Sequence, residues 1–365
     1  MQVDGLMRRT SATVRLGDIA SNYQLACERA PSSRNIAVIK ANAYGHGMVE
    51  VARHLKDTVP AFAVAFIDEA VKLRDAGIDK PILILQGVNA STDLNEVSAG
   101  NFWLLLNHQE QVDRLIAAKL AGPIGVWLKM DTGMHRLGFA PEVIDTVYDA
   151  LCASPNIRQG VVLCTHFACA DDPQHPMTRE QIKVFRACSG KYKLASSLAN
   201  SAGILFWPDS HAEWNRPGYM LYGLCPSGAF DEAVHGLQPA MTMNSEIISI
   251  RNLVPGDAVG YGCDWVARKN SRIGTVAIGY GDGYPRHAPA GTPVWIKGAR
   301  VPLAGRVSMD LITVDLTGLD YLKIGDPVEL WGQNLSVNEV AACAGTIGYE
   351  LLAGLSGRVP VRYQP

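Results

Sequence analysis

The 365-residue chain is long enough for about two domains, since single domains commonly run to roughly 100 to 200 residues, so a short single-motif protein is excluded. Hydrophobic residues make up 48% and charged residues 19%, the balance of a folded globular chain, which excludes disorder and low complexity. Thirty-three Lys and Arg against 35 Asp and Glu leave a formal charge of -2, too even for the positive field of a nucleic-acid binder, so a small neutral or zwitterionic ligand fits better.

Residues 1–10 carry Arg8 and Arg9 with no apolar run behind them, and no stretch approaches the ~20 apolar residues of a membrane span. Neither export nor membrane insertion is expected, and the expected location is the cytoplasm. Eight cysteines are scattered without a CxxC pair and read as reduced thiols.

From about residue 14 to residue 224, short apolar runs alternate with amphipathic stretches. The runs fall at 36–40, 62–66, 82–86, 102–106, 125–129, 161–166 and 194–200, with a last segment around Arg216. The stretch 68–76 opens on Asp68 and Glu69, carries Lys72 and Arg74 toward its end, and is followed by Gly77, as the helix dipole and a C-cap favour. Strands covered by helices on both faces read as unbroken apolar runs, and about eight βα units in this span predict a (β/α)8 TIM-type barrel. Beyond about residue 238 the texture changes. Gly256-Asp257, Gly281-Asp282-Gly283, Gly298 and Gly325-Asp326-Pro327 punctuate short runs at 272–278, 294–297 and 327–331, which predicts a mainly β second domain. The expected division is 1–240 for the barrel and 241–365 for the β domain, with the first ten or so residues able to pack on the latter.

The segment 35–47 reads Asn-Ile-Ala-Val-Ile-Lys-Ala-Asn-Ala-Tyr-Gly-His-Gly. Lys40 ends a buried strand, which in a barrel places its amine on the C-terminal face, where active sites of this fold lie. Desolvation there lowers a lysine pKa, and a neutral amine can form a Schiff base or take a proton from a substrate. A snorkelling surface lysine is the alternative. His166, also at a strand end, could equally be a core histidine. With Asp171, Asp172 and His175 it fits no helical zinc motif, so no metal is expected.

Residues 37–47 resemble the pyridoxal-phosphate attachment motif of bacterial alanine racemases, the fold-type III enzymes. The resemblance continues in order through 129–138 (KMDTGMHRLG), 165–167 (THF), 200–202 (NSA), 215–218 (NRPG), 259–262 (VGYG), 279–286 and 305–310 (GRVSMD), so it spans essentially the whole chain. It implies a barrel followed by a β domain, a homodimer with shared active sites, and an isomerase that interconverts L- and D-alanine. That activity either supplies D-alanine for peptidoglycan or consumes it.

The resemblance also assigns residues. Lys40 would carry pyridoxal 5'-phosphate as a Schiff base and serve as base on the D-alanine side, and Tyr261 would act on the L-alanine side. Removing and returning a Cα proton needs an electron sink and two acid/base groups, which this set supplies. A phenol costs about 4 kcal/mol to ionise at pH 7, so the tyrosine needs cationic or hydrogen-bonding neighbours, and His166 beside Arg216 is the neighbour implied. Arg216, always a donor, would face the pyridine nitrogen and leave it unprotonated. Pro217 and Gly218 suit a helix start at which backbone N–H groups approach a phosphate. Tyr44, Asn200, Ser201, Gly218, Tyr219 and Tyr349 complete the cofactor set.

Arg136 and the backbone N–H of Met309 would hold the substrate carboxylate. Lys129 matches a lysine that many members carbamylate, and an Asp131–Arg136 ion pair beside a solvated Lys129 is the alternative. Tyr261 and Met309 would reach into the partner subunit's barrel. Asp171, Tyr280, Arg286, Arg306 and Ile347 would line the substrate channel. A broad-specificity amino-acid racemase is the runner-up reading. A non-catalytic pyridoxal-phosphate barrel is less suited, because it predicts neither a second domain nor Tyr261 and Met309.

Overall fold

The computed structural model describes residues 9–88, 90–192, 194–227 and 235–365. Seven parallel strands pair each with the next: Ala37–Val38, Phe62–Val64, Ile82–Ile84, Trp103–Leu106, Gly125–Lys129, Val162–Cys164 and Ala195–Ser197. The eighth segment, Trp214–Asn215, pairs in parallel with Arg34–Asn35. Ile36 N–H donates to Asn215 O and Val38 N–H to Pro217 O, both at 2.9 Å, while Arg216 N–H donates to Ala199 O at 2.9 Å on the other flank. The eighth segment therefore bridges the first and seventh strands, and the curled sheet closes on itself.

Strand geometry sends alternate residues to opposite faces, and the core divides accordingly. Phe62, Val64, Ile82, Ile84, Leu104, Leu106 and Leu128 pack outward with the apolar faces of the helices. Ile36, Val38, Ala63, Leu83, Leu105, Trp127, Val162, Cys164 and Trp214 form a separate inner cluster. Trp127 lies with ring centroids 6.4 Å from Trp103 and 5.9 Å from Trp214, so indole bulk plugs the interior. The helix read at 68–76 is Ile67–Asp75, and Gly77 follows it at φ +83°.

The second domain is built on the long strand Met241–Leu253, which pairs antiparallel with Ser11–Arg15, Ser271–Val276 and Pro327–Trp331. Pro293–Ile296 and Ala299–Pro302 form a hairpin whose turn residues, Lys297 and Gly298, take φ of +44° and +88°. These left-handed values match the twist that tight hairpins require.

One expectation needs correction. The βα alternation does not begin near residue 14, because Ser11–Arg15 is a strand of the second sheet, parallel to Val361–Gln364, and the barrel starts after the helix Leu16–Arg29. Pairing with strands so distant in sequence leaves no local signature. Residues 1–8, most of the segment expected to pack on the second domain, lie outside the described residues. The cysteines of the chain are free thiols, and among the described residues no helix is long and apolar enough to cross a membrane.

Candidate active site

The inward alternation of the barrel strands runs on past their last hydrogen bonds and delivers the site. Ile36 and Val38 face inward, so Lys40 continues the row; Trp127 leads to Lys129, Val162 and Cys164 to His166, and Trp214 to Arg216 and Gly218. Together with Tyr44, Arg136, Asn200, Ser201, Tyr219 and Tyr349 they line one cavity of about 270 Å³. Its wall holds the cations Lys40, Lys129, Arg136 and Arg216 and, among the lining residues, no carboxylate.

Directly after Lys40 the backbone makes a left-handed turn: Ala41, Asn42, Ala43 and Tyr44 have φ of +52°, +54°, +54° and +53°. Left-handed helix costs L-residues roughly 1 to 2 kcal/mol each, so this turn persists only because its surroundings hold it. Asn42 Oδ1 accepts Met48 N–H at 3.0 Å, and Asn42 O accepts Gly47 N–H at 2.9 Å. The buried His46 ring places Nδ1 at 3.1 Å from Ala43 O and 3.0 Å from Tyr44 O. Carbonyls only accept, so Nδ1 carries the proton. Burial lowers the pKa of this histidine to about 4, and its ring stacks on Tyr222 at 4.4 Å.

Buried Arg216 donates to Ser197 Oγ at 2.5 Å, Thr165 O at 2.6 Å and Leu198 O at 3.2 Å. Its Nη2 also lies 3.5 Å from His166 Nδ1. Burial, then Arg216, Lys129, Arg136 and Lys40, push His166 well below its ordinary value, so the imidazole is neutral near pH 7. Burial, followed by the charge of Arg136, lowers Lys40, with Glu69 acting in the opposite direction. Burial likewise lowers Lys129, against the opposing pull of Cys164 and Asp131.

At the opposite end of the cavity, Ser201 opens the helix Ser201–Phe206, and Asn200 caps it by accepting Gly203 N–H at 2.9 Å. Ser201 Oγ accepts Gly218 N–H at 3.0 Å and Met220 N–H at 3.2 Å. The Gly218 N–H, expected to be open toward a phosphate, is thus engaged by a neighbouring hydroxyl. Gly218 is nevertheless needed for close approach, since a Cβ there would lie 2.9 Å from Tyr44 Oη. Tyr349 comes from the second domain on the helix Gly348–Ala353 and stacks on Tyr219 at 3.5 Å, and Tyr219 Oη donates to Asn338 Oδ1 at 2.6 Å.

Comparison with known proteins places the chain. The sequence profile for the alanine racemase N-terminal domain matches residues 14–226, and that for the C-terminal domain matches residues 240–363. The chain belongs to the alanine racemase family. It is 47% identical over 359 residues to the alanine racemase of Chromohalobacter salexigens, covering 98% of this chain and 99% of that protein. The crystal structure of the biosynthetic alanine racemase from Pseudomonas aeruginosa is 46% identical and superposes with a TM-score of 0.96, over 98% of this chain and 100% of that one. An alanine racemase from Bartonella henselae, solved with covalently bound pyridoxal phosphate, is 28% identical with a TM-score of 0.87 over 98% of this chain and 99% of that one.

Not every residue expected in the racemase site lines the cavity of this single chain. Tyr261 and Met309 are 69% and 53% exposed on the second domain. Arg306 stands beside Gly262, the residue after Tyr261: its guanidinium carbon would be 2.9 Å from a Cβ there, and it pairs with Asp264. Tyr280 donates its N–H to Ser308 O at 3.0 Å, beside Met309. Arg286 and Ile347 are exposed, and Asp171 lies near enough to Tyr349 to help raise its pKa, after burial and Tyr44. The His166–Tyr261 pairing is therefore not made within one chain.

The Asp131–Arg136 ion pair is not formed. Asp131 accepts the N–H groups of Gly133 and His135, each at 3.0 Å, and pairs with the His135 ring at 3.1 Å, while Arg136 turns to the cavity. Sequence reading gave no role to Val38, Leu85, Gln86, Leu105, Leu137, Cys164 and Thr165 in the wall, or to Ser197 as the anchor of Arg216. Strand alternation from Val162 could have found Cys164. Ser197 has no local signal, because its partner comes from the next strand.

Proposed function

We propose that this racemase interconverts L- and D-alanine with pyridoxal 5'-phosphate held through the amine of Lys40. The observation that carries the reading is the cavity wall of four cations and no carboxylate, which suits two anions at once, a cofactor phosphate and a substrate carboxylate. The cofactor fits these residues: Gly218 leaves room beside Tyr44 Oη, the stacked Tyr219 and Tyr349 give an aromatic wall, and Arg216 presents a fixed donor fork. Tyr44, Asn200, Ser201, Gly218, Tyr219 and Tyr349 would surround the phosphate end. When bound, pyridoxal phosphate supplies the electron sink for the pair left at Cα.

The residues of the chain do the rest. Arg136 would bind the alanine carboxylate, assisted by the backbone N–H of Met309 from the partner subunit, and so orient Cα between the two bases. Lys40, lowered by burial, moves a proton to and from Cα on the D-alanine face. The partner subunit's Tyr261 moves one on the opposite face. One base takes the Cα proton and the other then delivers a proton to the opposite face, so configuration inverts with no net change in atoms or oxidation state.

Arg216 can only donate, so the guanidinium beside His166 Nδ1 favours the tautomer with its proton on Nε2, where it can stabilise a tyrosinate. A carbamyl group on Lys129 would turn a cation beside Arg136 into an anion that orients the guanidinium. Asp171, Tyr280, Arg286, Arg306 and Ile347 would form the channel across a homodimer interface. The working units would be residues 1–240 and 241–365, with Ser11–Arg15 crossing over to complete the second sheet, and the working place the cytoplasm. A biosynthetic role follows the name of the Pseudomonas aeruginosa relative.

The test is to incubate the protein with L-alanine and pyridoxal phosphate in heavy water and follow Cα deuteration and enantiomer ratio together. Deuterated alanine approaching equal L and D amounts is expected. Deuteration with retained L configuration would remove the two-base assignment, and exchange with larger amino acids but not alanine would favour a broad-specificity racemase.

A further inference from the structure

Glu69 lies in the first turn of the helix Ile67–Asp75, where a carboxylate commonly caps the helix through nearby backbone N–H groups. One of its oxygens does this: Oε2 accepts Ala65 N–H at 2.7 Å and Phe66 N–H at 3.3 Å. The other oxygen leaves the helix. Oε1 crosses to the neighbouring strand exit and accepts Ala41 N–H at 2.6 Å. Ala41 follows Lys40 and is the first residue of the left-handed turn, so this bond grips the strained backbone where the reactive side chain emerges. A charged acceptor makes a hydrogen bond roughly twice as strong as a neutral one, which offsets much of the strain of the left-handed residues.

We infer that Glu69 is a positioning residue for Lys40: its carboxylate ties the turn after Lys40 to the next strand and sets the direction in which the amine enters the cavity. The inference rests on the reading of Lys40 as the reactive amine. Its charge adds a second effect. Arg136 lowers the proton affinity of Lys40 while Glu69 raises it, with His166, Lys129, Arg216, Tyr44 and Tyr349 on the same cavity wall. Removing the carboxylate charge therefore moves the Lys40 titration downward.

Two substitutions separate the effects. Glu69→Gln removes the charge and leaves a single acceptor oxygen for N–H groups on two elements, and Glu69→Ala removes every acceptor. Amide hydrogen exchange by mass spectrometry on the intact protein should show residues 40–48 exchanging on the order of tenfold faster in Glu69→Ala, with the barrel strands unchanged and Glu69→Gln in between. The limb of the kcat profile for D-alanine that reports Lys40, whose amine is free once substrate is bound, should move to lower pH in Glu69→Gln, by on the order of half a unit to one unit.

Unchanged exchange at 40–48 in folded Glu69→Ala, together with an unmoved limb in Glu69→Gln, would overturn the inference. Should Glu69→Ala fail to fold, the unaltered protein decides: Ala41 N–H must be protected, and exchange at the rate of a free amide refutes the anchor. The exchange readout needs no turnover, so it stands apart from any failure of the racemase reading, which the heavy-water experiment judges.

Discussion

Nη2 of Arg216 stands 3.5 Å from Nδ1 of His166, and the other guanidinium contacts, to Ser197 Oγ, Thr165 O and Leu198 O, hold it there. Because a guanidinium has no acceptor, the direction of every bond in this chain is fixed. The guanidinium beside Nδ1 favours the Nε2–H tautomer, and the neutrality of the imidazole follows from burial among four cations. An arginine is needed for this geometry, since an ammonium has no planar fork to span three acceptors.

Arg216→Lys should therefore lower kcat for alanine by on the order of 10- to 100-fold, the equivalent of losing one charged hydrogen bond. Steady-state rates measured in both directions, with circular dichroism as the control for folding, check this. An unchanged kcat would remove the arginine from the site's working geometry.

The buried His46 makes stability depend on pH. Its folded value of about 4 lies below the free value of 6.5, so below pH 6.5 the unfolded chain takes up a proton that the folded chain refuses. Stability is fully present above 6.5, falls as the pH drops from 6.5 to about 4, and for this group levels off below that. The whole span corresponds to about 3 kcal/mol, and His166 contributes in the same direction. Urea midpoints at pH 7.5 and pH 5 should differ accordingly, and His46→Gln should flatten part of the slope.

Gly218→Ala places a methyl group 2.9 Å from Tyr44 Oη and 3.4 Å from Val38 Cβ. The tyrosine must move, and cofactor retention should weaken about tenfold, or about 1.4 kcal/mol, with little change in Tm. Equilibrium dialysis against pyridoxal phosphate measures it. Undiminished retention would place the phosphate elsewhere.

Mixing an Arg136→Ala chain with a Tyr261→Phe chain tests whether sites are shared. Each variant alone should be nearly inactive, while a mixed dimer carries one site with neither lesion. Activity that returns on mixing supports sharing, and its failure to return in a verified mixed dimer would assign Tyr261 to the site of its own chain.

The barrel was legible because its strands are buried on both faces and read as apolar runs, and the strand ends at Lys40, Lys129 and His166 could be counted from those runs. The turn after Lys40 was not. Ala41 and Ala43 carry no preference for left-handed backbone, and only Asn42 tolerates it well, so the conformation is imposed by Glu69, His46 and Gly47 from outside. Tyr349 and Tyr219 meet face to face across two domains, a contact no periodicity reports. The engagement of Gly218 N–H by Ser201 was hidden for the same reason: local sequence shows a free donor, and the acceptor arrives from the preceding βα unit.

The strand Ser11–Arg15, seated between Met241–Leu253 and Val361–Gln364, has a consequence for how the protein is made. A ribosome completes this strand long before either neighbour exists, so it must trail, unpaired, while the whole barrel is synthesised. Dividing the gene between the barrel and the β domain would accordingly yield two damaged pieces, one with an orphan strand and one with a gap in its sheet. Moving the codons for that strand to precede those for Met241–Leu253, its antiparallel neighbour, through a short turn would be the natural way to obtain the β domain intact.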